Sequence, residues 1–443
     1  MIELIPYEAK KILETLNRSG FEAYLVGGCV RDLILGKKPK DYDITSNAAP
    51  DDIIRIFGEK NTIPTGLKFG TVTVLMNKMP FEITHYRCDG EYTDHRSPDD
   101  VSFVSDIHLD LCRRDFTMNA IALAPDGTLI DDFNGISHIK EGKIVCVGNP
   151  HERFSEDALR ILRAVRFSSE LGFEIEKSTS DAIHELAPTL KNISAERIQA
   201  ELNRILCGKN CPHILHKYCD VIFVFIPELE KAYGFKQYTP YHKFTVWHHT
   251  AKAVESIPPI TTLRLTMLLH DVAKPSMFQM DEKGVGHFQG HDKAGAEMAE
   301  TILRRLKYDN KTISEVCTLI RFHSVRPKND VEIKKMISQI GTELFFSLIA
   351  VNRADNSAKN DFVTANIDRF DDIEKRANQL IENGQCFFIK QLAINGNDLK
   401  SLGINGKKTG DTLKLLLNLV LEDKIENNYQ DLISKAGEIA KNE

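Results

Sequence analysis

The strand signals of this 443-residue chain stop near residue 150, and this change constrains the fold more than any other feature. Before it, Ala23–Val26 and Asp41–Thr45 have the composition of strands, and the alternation in Thr71–Met76 and Phe81–Arg87 predicts a hairpin. After Val147, apolar residues recur at helical spacing. The pattern predicts an α+β protein in which a head with a mixed β-sheet is followed by an all-helical remainder.

The length suggests about three domains, at roughly 100–200 residues each. Interruptions of the helical pattern place further boundaries near residues 240 and 360, so we expect a head at 1–150, a helical neck at 151–240, a third domain at 241–360 and a helical tail at 361–443. The helices predicted in the head and neck are Tyr7–Ser19, Cys29–Leu35, Pro50–Phe57, Phe154–Leu171, Ser178–Leu186 and Ala195–Leu206.

Composition excludes several classes of protein. A formal net charge of -6 excludes a strongly basic coat for nucleic acid. The apolar runs are far shorter than the ~20 residues of a membrane span, and the N-terminal segment is not basic and then apolar, as a signal peptide is. Nine cysteines without a Cys-x-x-Cys motif suggest reduced thiols. We therefore expect a cytoplasmic protein that does not contact a membrane; the sequence does not predict its oligomeric state.

Two short segments near the N-terminus combine glycines, an arginine and two carboxylates. Gly27 and Gly28 lie between a predicted strand and a predicted helix, where the absence of side chains lets a phosphate approach closely. Arg31 follows one turn later and can add a charge-assisted contact. Asp41 and Asp43 are two residues apart on a predicted strand, so both carboxylates point to one face. Such a pair can hold Mg2+, and the combination predicts a nucleotide site.

These strings resemble class II CCA-adding tRNA nucleotidyltransferases and bacterial poly(A) polymerases. The first is Gly-Gly-Cys-Val-Arg-Asp-Leu-Ile-Leu-Gly at 27–36, followed by Asp-Tyr-Asp-Ile-Thr-Ser at 41–46, where the family often has Thr in place of Ser46. Arg-Arg-Asp-Phe-Thr-Met-Asn-Ala at 113–120 resembles the second motif of the family. Residues 156–167 resemble its base-recognition helix, and 194–198 a later segment of the neck. The resemblance covers most of the chain before Asn360.

An aspartate and an arginine in residues 156–167 are candidates for base recognition. If the segment is one helix, Asp157 and Arg160 are neighbours, and a carboxylate beside a guanidinium offers an acceptor next to donors. Cytosine and adenine present an exocyclic amine beside an unprotonated ring nitrogen, whereas guanine and uracil present a carbonyl beside a ring N–H. The pair can therefore accept C and A without a template. The resemblance implies the same roles, and it implies that Arg163 and Arg166 help to hold the nucleotide.

The resemblance implies further contacts in the head. Arg114 resembles the residue that contacts the triphosphate, and Asp115 the residue that favours a ribose 2′-hydroxyl. Glu82, on a predicted strand, is a candidate third carboxylate near the metal. Family members that add only CC lack part of a flexible loop here, whereas residues 87–98 show no obvious deletion. This favours addition of the complete CCA.

The third predicted domain contains histidines and aspartates that resemble the HD superfamily. The pattern is a histidine, a His-Asp pair and a distant aspartate, and it implies a divalent metal that activates water against a phosphate ester. His291 and His323 could extend the site to a second metal. The implied ligands are His249, His270, Asp271 and Asp355.

The combined expectation is an enzyme that adds CMP, CMP and AMP from CTP and ATP to tRNA, using Mg2+ at Asp41 and Asp43, with an additional phosphohydrolase activity at the HD residues. Three alternatives stay open. A poly(A) polymerase usually has a strongly basic C-terminal extension, but residues 394–443 contain 7 Lys and 8 Asp or Glu. A CC-adding enzyme is disfavoured by the intact loop. The third alternative is an HD-domain phosphohydrolase with a nucleotide-sensing head.

Overall fold

The computed structural model describes residues 2–90, 101–360, 364 and 368–441. The chain forms two compact units, Met1–Pro227 and Glu228–Glu443. The β-sheet lies in the first unit and the second is predominantly helical, which confirms the predicted α+β class. The finer division at residues 150, 240 and 360 stays a prediction.

The first unit is built on a seven-stranded sheet. Its strands are β1 (Ala23–Val26), β2 (Asp43–Ser46), β3 (Thr62–Gly66), β4 (Thr71–Met76), β5 (Met79–His85), β8 (Ala122–Leu123) and β9 (Leu129–Ile130). They lie in the order β3-β4-β5-β2-β1-β8-β9. Only β2 and β5 pair in parallel; the other neighbours in this sheet are antiparallel, so the sheet is mixed as predicted. Two small pairs accompany it, β6 (Arg87–Asp89) with β7 (Val101–Phe103), and β10 (Lys143–Ile144) with β11 (Glu174–Ile175).

The register of the central strands determines where the predicted site residues lie. Val26, the last residue of β1, pairs with Asp43, the first residue of β2, so the glycines that follow β1 lie beside this aspartate. Ile44 pairs with Ile83 on the parallel strand β5, which brings Glu82 to the same end of the sheet. Asp41 precedes β2 instead of lying on it, because the strand begins two residues later than predicted.

Helices cover the sheet and continue the first unit beyond it. They bury apolar side chains such as Ile12 and Leu16 of the first helix and Ile53 of the third, all fully excluded from solvent. The α-helices are Tyr7–Arg18, Gly28–Ile34, Pro50–Phe57, Ile107–Cys112, Gly135–Glu141, Pro150–Glu156, Leu159–Leu171, Lys177–Leu186, Ala195–Cys207, Cys211–Lys217 and Cys219–Phe225.

The prediction of one continuous helix at Phe154–Leu171 is wrong, because the helix is interrupted at Asp157. The chain forms two helices, Pro150–Glu156 and Leu159–Leu171, and Asp157 between them is extended, with φ -135° and ψ 102°. Its carboxylate accepts a hydrogen bond from the backbone N–H of Leu159 at 3.0 Å, as a capping aspartate does at a helix start. Asp157 and Arg160 are therefore not successive positions on one helix face.

Within the described residues, the second unit consists of packed helices and one hairpin with strands of two residues each. The hairpin is β12 (Gln279–Met280) with β13 (Gly286–His287), and an apolar cluster that includes Leu399, Leu416 and Leu432 forms the core of the last helices. No helix in the described ranges is long and apolar enough to cross a lipid bilayer. The α-helices are Val246–Ser256, Thr261–Leu269, His291–Arg305, Asn310–Phe322, Asp330–Ile340, Thr342–Ser357, Asp368–Glu382, Gly396–Ser401, Lys407–Leu421 and Tyr429–Lys441.

Candidate active site

A cavity of about 500 Å³ in the first unit is lined by ten residues that the sequence assigns to nucleotide or Mg2+ binding in the head and neck, whereas Glu82, the candidate third carboxylate, lines an adjoining cavity. Residues more than 130 positions apart in the chain meet there, and their positions in the sequence do not by themselves require this proximity. The predicted residues that line the cavity are Gly28, Arg31, Asp41, Asp43, Arg114, Asp115, Asp157, Arg160, Arg163 and Arg166. The sequence did not predict roles for Arg113, Asn119, Phe167, Arg197 and Arg204, which also line it.

The glycine turn keeps one wall of the cavity open. Gly27 has φ 75° and ψ -135°, a conformation that side-chain-bearing residues rarely adopt. A Cβ atom at this position would lie 3.4 Å from Nη1 of Arg114 and 3.9 Å from Oδ2 of Asp43. A Cβ at Gly28 would lie 3.6 Å from Nη2 of Arg31. The backbone conformation therefore favours glycine at position 27, and a side chain at either position would lie in van der Waals contact with the charged groups of the cavity.

Arg31 is oriented by three neighbours. Its Nη1 donates to Oδ1 of Asn119 at 2.8 Å, its Nη2 donates to Asp32 at 2.8 Å, and its guanidinium lies 5.1 Å from the ring centroid of Phe167. The side chain is nearly buried, yet it reaches the cavity surface. These contacts hold the positive charge in one position, which suits a fixed phosphate contact.

Three carboxylates lie at the end of the sheet beside the glycine turn. Asp43 is exposed on the cavity side, but the protein around its carboxyl group, together with the charges of Asp41 and Glu82, raises its pKa to about 6. Asp43 and Glu82 also line an adjoining cavity of about 260 Å³. Burial and the neighbouring carboxylates both disfavour the ionised form of Asp43, and a bound cation would offset the repulsion among the carboxylates. Mg2+ fits, because it is often held by one or two carboxylates and completes its coordination with waters and substrate phosphates.

Asp110 holds two arginines at the cavity and was missed by the sequence analysis. It is fully buried, and it accepts hydrogen bonds from Arg113 at 2.7 Å and from Arg114 at 2.9 Å. Burial alone would raise its pKa, but the two guanidinium groups outweigh burial and lower it. The signal was available, because Asp110 precedes these arginines by three and four residues in a helical segment.

Asp115 is held by contacts from both sides of the cavity wall. Nε of Arg163 donates to its Oδ2 at 2.7 Å, Asn119 donates to its Oδ1 at 3.1 Å, and the backbone N–H of Phe116 donates to the same oxygen at 2.8 Å. Burial opposes ionisation, but Arg163 and these donors outweigh it and lower the pKa of Asp115 to about 2. Asp115 is thus a fixed carboxylate at the cavity.

The two base-recognition candidates have separate partners. Oδ2 of Asp157 accepts a hydrogen bond from Nη2 of Arg197 at 3.1 Å, and Nη1 of Arg160 donates to Glu156 at 2.6 Å. Nη2 of Arg160 also donates to the backbone oxygen of Arg113 at 3.1 Å. The helix break at Asp157 changes how the pair is positioned, but both side chains still line the cavity.

Arg166 supports the cavity wall from beneath. It is 3% exposed, its Nε lies 3.0 Å from Oε2 of Glu201, and its guanidinium lies 4.2 Å from the ring centroid of Phe167. Burial lowers the pKa of Arg166 to about 10 and raises the pKa of Glu201.

The loop at 87–98, on which the prediction of complete CCA addition depends, lies mostly outside the described residues, since 91–100 are not described.

The second unit contains a separate cluster of potential metal ligands, here called the HD cluster: His249, His270, Asp271, His291, His323 and Asp355. The ligand atoms of His249, His270 and Asp355 lie within 4.8 Å of one another, as do those of Asp271, His291 and His323. Oδ2 of Asp271 is 3.4 Å from His249 and its Oδ1 is 3.7 Å from His291, so Asp271 faces both groups.

The histidines of the HD cluster point their Nε2 atoms inward. In all four, Nδ1 donates to a backbone carbonyl oxygen, at 2.6–3.1 Å. Burial lowers the pKa of His249, His291 and His323, the last to about 3, which favours their neutral forms. Nε2 of His249 then faces Nε2 of His270 at 3.3 Å, and the same holds for His291 and His323. Burial alone would lower the pKa of His270, but the charges of Asp271 and Asp355 outweigh burial and raise it. Inward-facing imidazole nitrogens beside buried carboxylates are suitable donors for a divalent metal.

Family models match three segments of the chain. A model described as "Poly A polymerase head domain" matches residues 23–145, and one described as "Probable RNA and SrmB- binding site of polymerase A" matches residues 172–232. A model of tRNA nucleotidyltransferase domain 2 matches residues 291–436. None of these three descriptions names an HD domain.

Relatives match over nearly the full chain. The CCA-adding enzyme of Enterococcus faecalis is 34% identical over 436 residues, which cover 97% of this chain and 95% of that protein. The CCA-adding enzyme of Limosilactobacillus fermentum is 33% identical over 445 residues, which cover 99% of each. The chain belongs to the CCA-adding enzyme family. The predicted class, a tRNA nucleotidyltransferase of the CCA-adding type, is confirmed.

Other comparisons agree with this family. The CCA-adding enzyme of Lacticaseibacillus paracasei is 48% identical over 219 residues, a match that spans 49% of this chain and 54% of that protein. The crystal structure of the CCA-adding enzyme of Bacillus stearothermophilus in complex with CTP superposes with a TM-score of 0.71 at 28% identity, covering 98% of this chain and 97% of that one. The match to tRNA nucleotidyltransferase domain 2 at 291–436 includes His291, His323 and Asp355 of the HD cluster, but it assigns them no activity.

Proposed function

We propose that this chain adds C, C and A in turn to the 3′ end of tRNA, from CTP and ATP, with Mg2+ and without a template. The observation that carries the proposal is the convergence of all ten predicted head and neck residues on one cavity. In each step the oxygen of the terminal RNA hydroxyl forms a bond to the α-phosphorus of the nucleotide. The bond from that phosphorus to the β-phosphate bridge breaks, pyrophosphate leaves, and the hydroxyl proton passes to solvent.

Asp41 and Asp43 are the proposed Mg2+ ligands, with Glu82 as a third carboxylate nearby. Bound Mg2+ would lower the pKa of the attacking hydroxyl and neutralise charge on the leaving pyrophosphate. The raised pKa of Asp43, caused by burial and by the charges of Asp41 and Glu82, supports cation binding at this position.

The triphosphate is proposed to lie between the glycine turn and the arginines. Asp110 fixes the guanidinium groups of Arg113 and Arg114. Nε of Arg114 is buried and has no hydrogen-bond partner within the part of the chain that the structure describes. A buried donor without a partner is costly, and a phosphate oxygen would satisfy it. Arg31, which Asn119 orients, supplies a further charge on the side of Gly28.

The base is proposed to be selected by Asp157 and Arg160 and the sugar by Asp115. Arg197 and Glu156 hold the two base-selecting side chains in place, so they act as positioning residues. An aspartate held in one place accepts a hydrogen bond from the exocyclic amine of cytosine or adenine, and a held arginine donates to the ring nitrogen. Asp115 has a pKa of about 2 and stays ionised as an acceptor for a ribose 2′-hydroxyl. Arg163 and Arg166 maintain this wall.

A primer-extension assay tests the proposed reaction. With a tRNA transcript that lacks its CCA end and with Mg2+, CTP alone should give CC, and addition of ATP should give one final A. A long A ladder with ATP alone would contradict the proposal and indicate a poly(A) polymerase. Extension that stops at CC with both nucleotides present would indicate a CC-adding enzyme.

The HD cluster favours a second function, a metal-dependent phosphohydrolase activity. Asp271 is 1% exposed, and neither of its oxygens has a hydrogen bond within the described residues, although Nζ of Lys274 lies 2.7 Å away. A buried carboxylate of this kind beside inward-facing Nε2 atoms fits one or two divalent ions. Such ions, when bound, would promote attack of water on phosphorus, so that a phosphate monoester and water give an alcohol and inorganic phosphate.

Binding of Mn2+ to the chelator-treated protein tests the second function. We expect His270→Ala and Asp271→Asn to remove binding sites that the wild type has, and to remove Mn2+-dependent phosphate release with them. Equal Mn2+ stoichiometry in the wild type and both variants would contradict the proposal.

We further infer a cytoplasmic location, on the basis of the tRNA and nucleotide substrates proposed above and of nine cysteines without a Cys-x-x-Cys motif.

A further inference from the structure

The HD cluster opens into a cavity of about 760 Å³ whose wall is strongly basic. Four lining side chains are lysine or arginine, whereas the only lining carboxylate among the described residues is Asp355. Asp271 lies behind the wall as a second carboxylate. The four cations are Lys274, Arg326, Lys359 and Arg369.

Asp355 divides its two oxygens between the potential metal ligands and these cations. Its Oδ1 lies 3.2 Å from Nε2 of His249 and 3.9 Å from Nε2 of His270. Its Oδ2 accepts hydrogen bonds from Nη2 of Arg326 at 3.1 Å and from Nζ of Lys359 at 2.7 Å. Arg326 and Lys359 therefore share one oxygen of Asp355, while the other oxygen lies beside the histidines.

The charges do not balance without a ligand. Among the described residues, four cations against two carboxylates leave an excess of two positive charges in a partly buried site, and bound divalent metal would increase it. At the rim, Asp281 is engaged with His287 at 2.8 Å. Positive charges repel one another strongly in a site of reduced dielectric constant. An anion that enters the site is attracted to them more strongly than it would be in bulk water.

We propose that Lys359, Arg326 and Arg369 form an anion subsite that binds the terminal phosphate of a phosphate monoester as its dianion. The inference deepens the phosphohydrolase function proposed above and rests on it for its chemical meaning, but binding of the anion requires no metal. A monoester carries about two negative charges at neutral pH, which matches the excess of two in the site. A phosphate diester carries one negative charge, so one positive charge of the site would remain without a counter-charge.

The shape of the site agrees with a terminal phosphate. His291, His323 and Asp355 line the cavity, whereas His249 and His270 are fully excluded from solvent and lie behind its wall, so a reacting group must enter the cavity to reach the HD cluster. A terminal phosphate can enter alone, whereas a phosphate within a chain requires two chain segments to enter with it. Phe288 and Val285 line the same cavity and offer apolar surface to the organic part of the ligand.

The test is calorimetric titration of the full-length, chelator-treated protein with two probes, inorganic phosphate at pH 8 and dimethyl phosphate. The variants are Lys359→Met, Lys359→Arg and Arg369→Met. Lys252→Met is the matched control, since it removes one lysine from the exposed face of a helix in the same unit, where that lysine pairs with Glu255. The arginine-rich cavity of the first unit would also bind phosphate under the function proposed above, so conclusions rest on differences between variants of the second unit.

We expect Lys359→Met and Arg369→Met each to weaken one phosphate-binding event by about tenfold or more, as loss of a charged hydrogen bond does. Lys252→Met should change nothing, Lys359→Arg should restore binding, and dimethyl phosphate should bind at least about tenfold more weakly than phosphate at this site. Equal phosphate binding by Lys359→Met and Lys252→Met, or equal binding of the two probes, would overturn the inference. Because no metal is present, these outcomes are separate from the Mn2+ test of the phosphohydrolase function.

Discussion

Asp157 and Arg197 form an ion pair at 3.1 Å that joins the break between two helices to a third helix. Arg197 lies near the start of helix Ala195–Cys207, forty residues along the chain from Asp157. Its Nη1 is buried and has no hydrogen-bond partner in the described part of the chain. The pair places a fixed carboxylate and a donor at the surface of the nucleotide cavity.

Replacement of Arg197 tests this positioning role. In Arg197→Met we expect the preference for CTP over UTP, measured as the ratio of kcat/KM values, to fall by about 10- to 100-fold, because an unheld Asp157 no longer presents its acceptor in one place. Arg204→Met is the control, since Arg204 lies on the same helix and lines the cavity but pairs with Glu170. An unchanged CTP/UTP ratio in Arg197→Met would contradict the role.

Asp110→Asn should weaken both stability and triphosphate binding. The substitution leaves Arg113 and Arg114 without their buried carboxylate, and breaking a buried ion pair costs about 3–5 kcal/mol in general. We expect a loss of roughly this size or somewhat less in the free energy of unfolding by urea, together with a raised KM for CTP. Asp106→Asn is the control, because Asp106 caps the same helix and asparagine caps equally well. Similar losses in the two variants would show that the arginines do not depend on Asp110.

Gly27→Ala should abolish most of the activity at a modest cost in stability. The conformation at Gly27 is unfavourable for alanine by about 1–3 kcal/mol, and the added Cβ approaches Arg114 and Asp43. Gly36→Ala is the matched control, since Gly36 also has positive φ, at 69°, but a Cβ there meets nothing within 4 Å. We expect both variants to melt at lower temperature and only Gly27→Ala to lose extension activity. Equal activity in the two would show that the cavity tolerates a methyl group at this turn.

The pair of Asp115 and Arg163 should stabilise the protein in a pH-dependent way. The pKa of Asp115 is lowered from 3.8 to about 2, so its ionised form is favoured in the folded state. The contribution, on the order of 2 kcal/mol, is present above the unfolded pKa near 4 and is lost as the pH falls towards 2. The difference in unfolding free energy between the wild type and Asp115→Asn should be constant above about pH 5 and shrink below pH 4. A difference that does not change between pH 6 and pH 3 would contradict this account.

The local patterns of the sequence predicted much of the head. The strands Ala23–Val26 and Thr71–Met76 and the helix Pro50–Phe57 occur as predicted, because alternation, glycines and a proline at the first helical position determine them locally. The convergence of the motif residues on one cavity was implied by the family resemblance and agrees with the structure. Their individual roles stay proposals.

Prediction from the sequence failed where side-chain contacts override the regular spacing of apolar residues. Phe154, Ala158 and Ile161 keep apolar residues at near-helical spacing across Asp157, so nothing in the periodicity indicated the break that its capping hydrogen bond produces. The contact of Arg197 with Asp157 depends on tertiary packing, which spacing cannot show. Asp110 was overlooked because Arg114 was interpreted only as a triphosphate contact and Arg113 was given no role.

The central claim is that the head adds CCA to tRNA. The most direct test is a parallel extension assay on CCA-less tRNA with the wild type, Asp43→Asn and Asp271→Asn. Removing a metal ligand in the head should slow addition of C and A by at least about a thousandfold, since metal assistance accounts for several kcal/mol of barrier. Asp271→Asn should add CCA at the wild-type rate, with both variants checked for unchanged thermal unfolding. Full activity in Asp43→Asn, or its loss in Asp271→Asn alone, would contradict the account and place the chemistry outside the head.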